Sequence, residues 1–227
     1  MTDKKTIAVA GATGAQGGGL VRAIVNNPGS GFVARALTRD VNSDKAKALA
    51  KLGVEVVAAN LDDLDSMQQA FSGAHGAFCV TNYWEHLSPE REQAHARTMA
   101  EAAKHAGVQH VIWSTLEDTR KWVPLTDNRM PTLMGKYKVP HFDAKGESDR
   151  ESMKHGVPTR YNDVSPETYR SFGFPGADDI GNMFQFKRDF NEVFCGARGV
   201  AFTRSLNPLL QDFQLWLDRN KSRIPLS

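Results

Sequence analysis

The sequence predicts an α/β fold, a doubly wound parallel sheet followed by a short, mainly helical C-terminal extension. Three observations carry this. Strand-like apolar runs alternate with helix-like runs over residues 6–113, and such alternation with short connections gives a parallel sheet with helices on both faces. Glycines fall at Gly11, Gly14 and Gly17, between the first strand and the first helix. Beyond Ser114 the alternation stops, and the rest reads as helical segments rich in aromatic residues.

The elements follow in order. Residues 6–10 form the first strand and residues 16–26 the first helix, closed by Asn27-Pro28-Gly29. Residues 32–37 are the second strand. Residues 43–51 form the second helix, with Ser43 as N-cap and Gly53 just past its end. Residues 54–58 make the third strand, 64–71 a short helix closed by Gly73, and 76–80 the fourth strand. Residues 88–105 form a long helix, because Ser88-Pro89-Glu90 supplies an N-cap and a proline at the first helical position, and Gly107 follows its end. Residues 108–113 are the fifth strand. Residues 115–140 carry Pro124, Pro131 and Pro140 and read as a long, exposed polar loop, a length that marks function or mobility in a compact domain. Residues 141–154, 166–170, 177–195 and 208–221 are helical.

Bulk properties bound the function. A chain of 227 residues suits one domain with a small appendage. It is 41% hydrophobic and 24% charged, as soluble globular proteins are. A net charge of +2 makes no case for a nucleic-acid or membrane surface. Cys79 sits in an apolar run and reads as a core thiol; with Cys195 it makes no disulfide framework, so a reducing, cytoplasmic setting is expected. No signal peptide precedes the first strand, and no apolar run is long enough to span a bilayer. The seven histidines have no metal-ligand spacing, so no metal is expected. Asp178, Asp179, Lys187, Arg188 and Asp189 read as a solvated helix surface.

The chemistry concentrates at the strand ends. Gly11-Ala12-Thr13-Gly14-Ala15-Gln16-Gly17 joins a strand to a helix. A tight turn there needs residues without a Cβ, and the pyrophosphate of a dinucleotide must approach the backbone closely. The helix N-terminus then offers N–H groups and a positive dipole end to that anion. The general Rossmann fingerprint spaces its glycines differently, so an ordinary Gly-rich turn is the alternative. Thr38-Arg39-Asp40 follows the second strand, where an acidic residue binds the ribose 2′-hydroxyl of NAD and an arginine the 2′-phosphate of NADP. Arg39 favours NADP, with Asp40 as a complication; a solvated arginine is the alternative. Asp62 and Asp63 lie beside the adenine position or cap the next helix. Thr81 and Asn82 suit the ribose and phosphates. Tyr83 and Trp84 either wall the nicotinamide or pack under the long loop. Ser114-Thr115 ends the fifth strand. A short-chain dehydrogenase would pair that serine with Tyr-x-x-x-Lys, but here His141 precedes Lys145 at that spacing. Lys145 can still hold the nicotinamide ribose, and His141 is a proton shuttle or simply a packed polar residue.

Taken together, Gly-Ala-Thr-Gly-Ala-Gln-Gly-Gly (11–18), Thr-Arg-Asp (38–40), Thr-Asn-Tyr-Trp-Glu (81–85) and His-Phe-Asp-Ala-Lys-Gly-Glu (141–147) resemble the NmrA-like family, atypical relatives of the short-chain dehydrogenases. The resemblance covers residues 5–158 and returns at Phe172-Gly173-Phe174-Pro175-Gly176-Ala177-Asp178-Asp179. Between them the chain departs from the family: Arg160-Tyr161-Asn162 follows Gly156-Val157-Pro158-Thr159 at once, which reads as an internal deletion at 159/160. The expected division is therefore a dinucleotide-binding domain over 1–159 and a helical remnant of the substrate side over 160–227. The resemblance implies NADP(H) binding, with NAD(H) as the alternative: the glycine turn on the pyrophosphate, Arg39 on the 2′-phosphate and Lys145 on the nicotinamide ribose. It also implies one of two roles. One is a redox-sensing regulator of a partner protein; the exposed polar loop 115–140 is its candidate switch, because such loops can order around a ligand. The other is an NADPH-dependent reductase of quinones or small carbonyl compounds. A second copy of the chain, covering the aromatic tail, is a further expected partner; nucleic acid and membrane are not.

Overall fold

A computed structural model describes residues 4–148, 165–171 and 174–220. Five parallel strands, β1 (Lys5–Val9), β2 (Phe32–Thr38), β3 (Glu55–Ala58), β4 (Gly76–Cys79) and β5 (His110–Trp113), lie in the order β3-β2-β1-β4-β5. Val9 stands opposite Ala36 on one side and Phe78 on the other. The order reverses between β1 and β4, and in open α/β sheets a crevice opens there, beyond the strand C-termini.

The period of two along each strand sorts side chains between two cores. Val9, Ala34 and Ala36 pack with Val21 of α1 (Ala15–Val25) and Leu49 of α2 (Asp44–Lys51). Ala8, Leu37 and Ala77 pack with Met67 and Phe71 of α3 (Leu64–Phe71) and Met99 and Ala102 of α4 (Pro89–His105). The helices start where their caps sit: the side chains of Ser43, Asp63 and Ser88 accept from the N–H groups of Ala46, Ser66 and Arg91. This is the doubly wound Rossmann sheet that the alternation predicts. Cys79 lies in the core, and burial pushes its thiol up to about 12.

The expected exposed loop is borne out in part: before Pro140 it holds no element beyond a 3-10 turn at Thr119–Lys121, and residues 124–126, 128–129, 131–132 and 134–136 are exposed. Thr119, Val123, Met130, Tyr137, Lys138 and Val139, however, are buried. Asp143 in α5 (Pro140–Ser148) is the reason. Its carboxylate accepts from the N–H groups of Thr119, Lys138 and Val139 and from the Thr119 hydroxyl. Lys138 donates through Nζ to the carbonyls of Asp127 and Met130. Val123, Met130, Val139 and Phe142 then form a third core with Phe186 of α7 (Ala177–Asp189). Polar residues that look solvated in sequence here satisfy buried backbone instead.

Near the C-terminus α6 (Pro166–Arg170) forms as expected. The single helix expected over 177–195 divides at Phe190 into α7 and α8 (Asn191–Gly196). Helix α9 (Val200–Leu206) was not anticipated, and α10 (Phe213–Asn220) is the core of the segment expected over 208–221. The break at 159/160, and the domain division placed on it, lie outside the described residues. Among the described residues no helix is long and apolar enough to cross a membrane, and no cluster of His, Cys, Asp and Glu could hold a metal ion.

Candidate functional site

A cleft of about 480 Å³ opens where the sheet order reverses. Its floor is the turn after β1. Gly11 there has φ +61°, and a Cβ on it would lie 2.9 Å from Val80 Cγ1. Gly17, in the first turn of α1, approaches so closely that a Cβ would lie 2.5 Å from the Gly11 carbonyl oxygen. Gly14 caps α1 with extended backbone, no side-chain cap and no acidic residue in the first turn. The helix therefore presents uncapped N–H groups and its positive end to the cleft. Thr13, Ala15 and Gln16 line the same wall, and Gln16 accepts a hydrogen bond from the Ser114 hydroxyl at 2.8 Å, tying the turn to the end of β5.

Arg39 lines the cleft from the end of β2 with Thr38, and its guanidinium pairs with the carboxylate of Glu85, on the short 3-10 turn Tyr83–Glu85 after β4. Asp40 turns away: it accepts from the Asn42 N–H at 2.8 Å and its carbonyl accepts from Ser43. Asp62 and Asp63 divide the two readings between them. Asp63 caps α3, whereas Asp62 lines the cleft, bound by Arg91 Nη2 at 2.6 Å and His95 Nε2 at 2.8 Å. The Arg91 hydrogen bond first, then that of His95, holds the Asp62 carboxyl down at about 2.

The α4–α5 side of the cleft is built otherwise. Thr81 and Asn82 line it. Thr81 donates to the buried carboxylate of Glu92 and accepts from Lys145 Nζ at 2.6 Å, and the same Nζ lies 3.0 Å from Glu92 Oε1. Lys145 therefore faces Glu92 and does not line the cleft. His86 Nδ1 accepts from the Ser88 N–H at 3.1 Å, which leaves the ring proton on Nε2, 3.4 Å from Glu92 Oε2. Burial lowers the His86 pKa, against the opposing pull of Glu92. Tyr83 is buried and outside the lining, its phenol pushed up by burial.

His141 also lies outside the lining. Its Nδ1 is 2.7 Å from Asp179 Oδ1, its own N–H donates to Asp179 Oδ2 at 3.1 Å, and its ring packs 4.7 Å from Trp84. Asp179 is thus buried and keys α7 onto α5, which corrects its reading as a solvated residue. Lys187 is also half-buried, over the rings of Phe142 and Phe194. Asp178, Arg188 and Asp189 stay exposed.

Eleven residues singled out in the sequence, Gly11, Thr13, Gly14, Ala15, Gln16, Gly17, Thr38, Arg39, Asp62, Thr81 and Asn82, meet in this one cleft; Asp63, Tyr83, His141 and Lys145 do not. Sequence reasoning gave Glu85, quoted in the run after the fourth strand, no role of its own, and missed His86, Arg91 and His95. Arg91 and His95 carried a signal, being one turn apart on a helix that starts beside the fourth strand. The arrangement can hold a diphosphate on main-chain donors and a further anion at Arg39.

Comparison with known proteins agrees with this layout. The sequence profile of the NmrA-like family matches residues 3–147. The NmrA-like family domain-containing oxidoreductase FrzB of a Cladobotryum species is 36% identical over 248 aligned positions, covering 92% of this chain and 72% of FrzB. That alignment is longer than the 227-residue chain, so FrzB has positions that this chain lacks. The oxidoreductase MalD of Malbranchea aurantiaca is 37% identical over 197 positions, covering 84% of this chain and 55% of MalD. The chain thus spans only about half the length of MalD. The crystal structure of NmrA, a negative transcriptional regulator, superposes with TM-score 0.51 at 30% identity, over 64% of this chain and 40% of NmrA. With the glycine turn, the switch-point cleft and the matched residues in agreement, this chain belongs to the NmrA-like family.

Proposed function

We propose that the chain binds NADP(H) in this cleft, with NAD(H) as the weaker ligand, and acts as a redox-sensing regulatory protein with little or no dehydrogenase activity. One observation carries the reading: the residues suited to the phosphates line the cleft, while His141 and Lys145 lie outside it, each against a buried carboxylate of its own. The uncapped start of α1 takes the pyrophosphate, since a Cβ at Gly17 has no room and the helix dipole favours an anion. Arg39 takes the 2′-phosphate by a charge-assisted hydrogen bond. Asp62, ionised and fixed by Arg91 and His95, orients beside the adenine. A bound nicotinamide supplies a hydride donor or acceptor. For Lys145 to hold its ribose, the ammonium would have to leave Glu92, at a high cost in so buried a site. A cytoplasmic setting, a partner protein read through the bound state, and a second copy of the chain belong to the same proposal. So does the division into a binding domain over 1–159 and a helical segment over 160–227.

The second reading is an NADPH-dependent reductase of quinones or small carbonyl compounds. Its support is the His141–Asp179 pair, a histidine oriented by a carboxylate beside a half-exposed tryptophan, and the oxidoreductase names of FrzB and MalD. Calorimetric titration with NADPH, NADP⁺ and NADH separates the possibilities. Micromolar NADP(H) binding is expected, weaker by about tenfold or more in Arg39→Ala, with quinones leaving NADPH unoxidised. No binding to any of the three overturns dinucleotide binding. Quinone-dependent oxidation that disappears in His141→Ala replaces the sensor with the reductase.

A further inference from the structure

The ion pair across the cleft mouth bears on which dinucleotide the site selects. Arg39 comes from the end of β2 and Glu85 from the turn after β4, on opposite sides of one cleft that both line. Among the described residues Glu85 is the carboxylate that Arg39 pairs with; Asp40, its neighbour in sequence, is engaged with Asn42. The second cation at the mouth, Arg91, has its own carboxylate in Asp62 and also feels the charge of Glu85. The mouth therefore carries its two guanidinium groups already neutralised by two carboxylates.

A 2′-phosphate entering this mouth needs Arg39 and finds it held. Exposed ion pairs are weak and exchange readily, so the phosphate can displace Glu85, but it must compete with that carboxylate for the guanidinium. NADH and NADPH differ only by this phosphate. With the 2′-hydroxyl of NADH in place, Arg39 keeps Glu85 and nothing is displaced.

We propose that Glu85 is a specificity-determining residue of the cleft: by holding Arg39 it weakens selection for the 2′-phosphorylated dinucleotide and keeps both cofactors within reach of one site. This rests on the dinucleotide reading above. The experiment measures Kd for NADPH and NADH in the full chain, in Glu85→Gln, in Glu85→Ala and in each combined with Arg39→Ala. Both single Glu85 variants are expected to raise the preference for NADPH over NADH about three- to tenfold. In the Arg39→Ala background the same substitutions should move it less than about twofold, because the competition is for that guanidinium. A chain that binds both cofactors with a preference unmoved by either Glu85 variant overturns the inference alone. An equal shift with and without Arg39 also overturns it, since Glu85 would then act by direct repulsion. A chain that binds neither cofactor overturns the dinucleotide reading and this inference with it.

Discussion

The open mouth of the cleft and the buried junction of α4, α5 and α7 beside it use the same kinds of residue in opposite ways. At the mouth, after β2, β3 and β4, the charges stand in water: the side chains of Arg39, Glu85 and Asp62 are 65%, 41% and 45% exposed. In the α4–α5–α7 junction they are sealed: Glu92, Lys145, His141 and Asp179 are 1%, 11%, 7% and 4% exposed. An exposed ion pair contributes little to stability and gives way to a ligand, whereas a buried one cannot lose a member without stranding the other. The mouth is therefore open to a ligand, and the junction is committed to holding α4, α5 and α7 together.

Substitutions can break or sharpen this contrast. The largest effect is expected from Glu92→Ala, which leaves the Lys145 ammonium and the His86 ring facing an empty buried site. It should cost about 3–5 kcal/mol, read by denaturant unfolding. A loss below about 1 kcal/mol, the scale of an exposed pair, would mean that the sealed junction is not structural.

Gly17→Ala comes next. The new Cβ would lie within 2.5–2.7 Å of the Ala10 and Gly11 backbone, so α1 must move off the strand end. The expected cost is about 1–3 kcal/mol, and NADPH affinity should fall with it. A variant destabilised to this degree that keeps full affinity would take the turn out of the ligand site.

The smallest effect concerns pH. Arg91 and His95 hold the Asp62 carboxyl at about 2, below its usual 3.8. A carboxyl depressed on folding stabilises the native state above its unfolded pKa and loses that contribution as pH falls through the folded value. The stability difference between the wild type and Asp62→Asn should be constant above about pH 5 and close between about pH 4 and 2. Because Asp62 is exposed, it should stay below about 1 kcal/mol. A larger difference would show that the open mouth also carries the fold.

Legibility in the sequence divides along a similar line. The five strands and first four helices stand within two residues of their expected bounds, because period, caps and glycine punctuation are local signals. The glycine turn and the residues that follow each strand were legible for the same reason: a parallel sheet delivers every strand end to one edge. Residues 115–140 were not. The burial of their two ends depends on Asp143, which accepts from the N–H groups of Lys138 and Val139 just before it and reaches back 24 residues to Thr119, and no local pattern announces a carboxylate that ties the two ends together. Phe190 divides the α7–α8 segment by ending one helix as it starts the next, against a composition that favours neither side.

By itself the sequence determined the succession of the five strands and first four helices, the tight turn at Gly11 and Gly17, and the presence of an arginine after β2. These follow from backbone geometry and side-chain type at neighbouring positions. Tertiary structure alone decided which charges face the cleft. Lys145 and His141 occupy positions where a related chemistry uses its catalytic groups, yet Glu92 and Asp179, 53 and 38 residues away, hold them inside the protein. The physical reason is burial. Whether a charge is free for a ligand depends on the partners that folding brings to it, and those partners come from other elements of the chain.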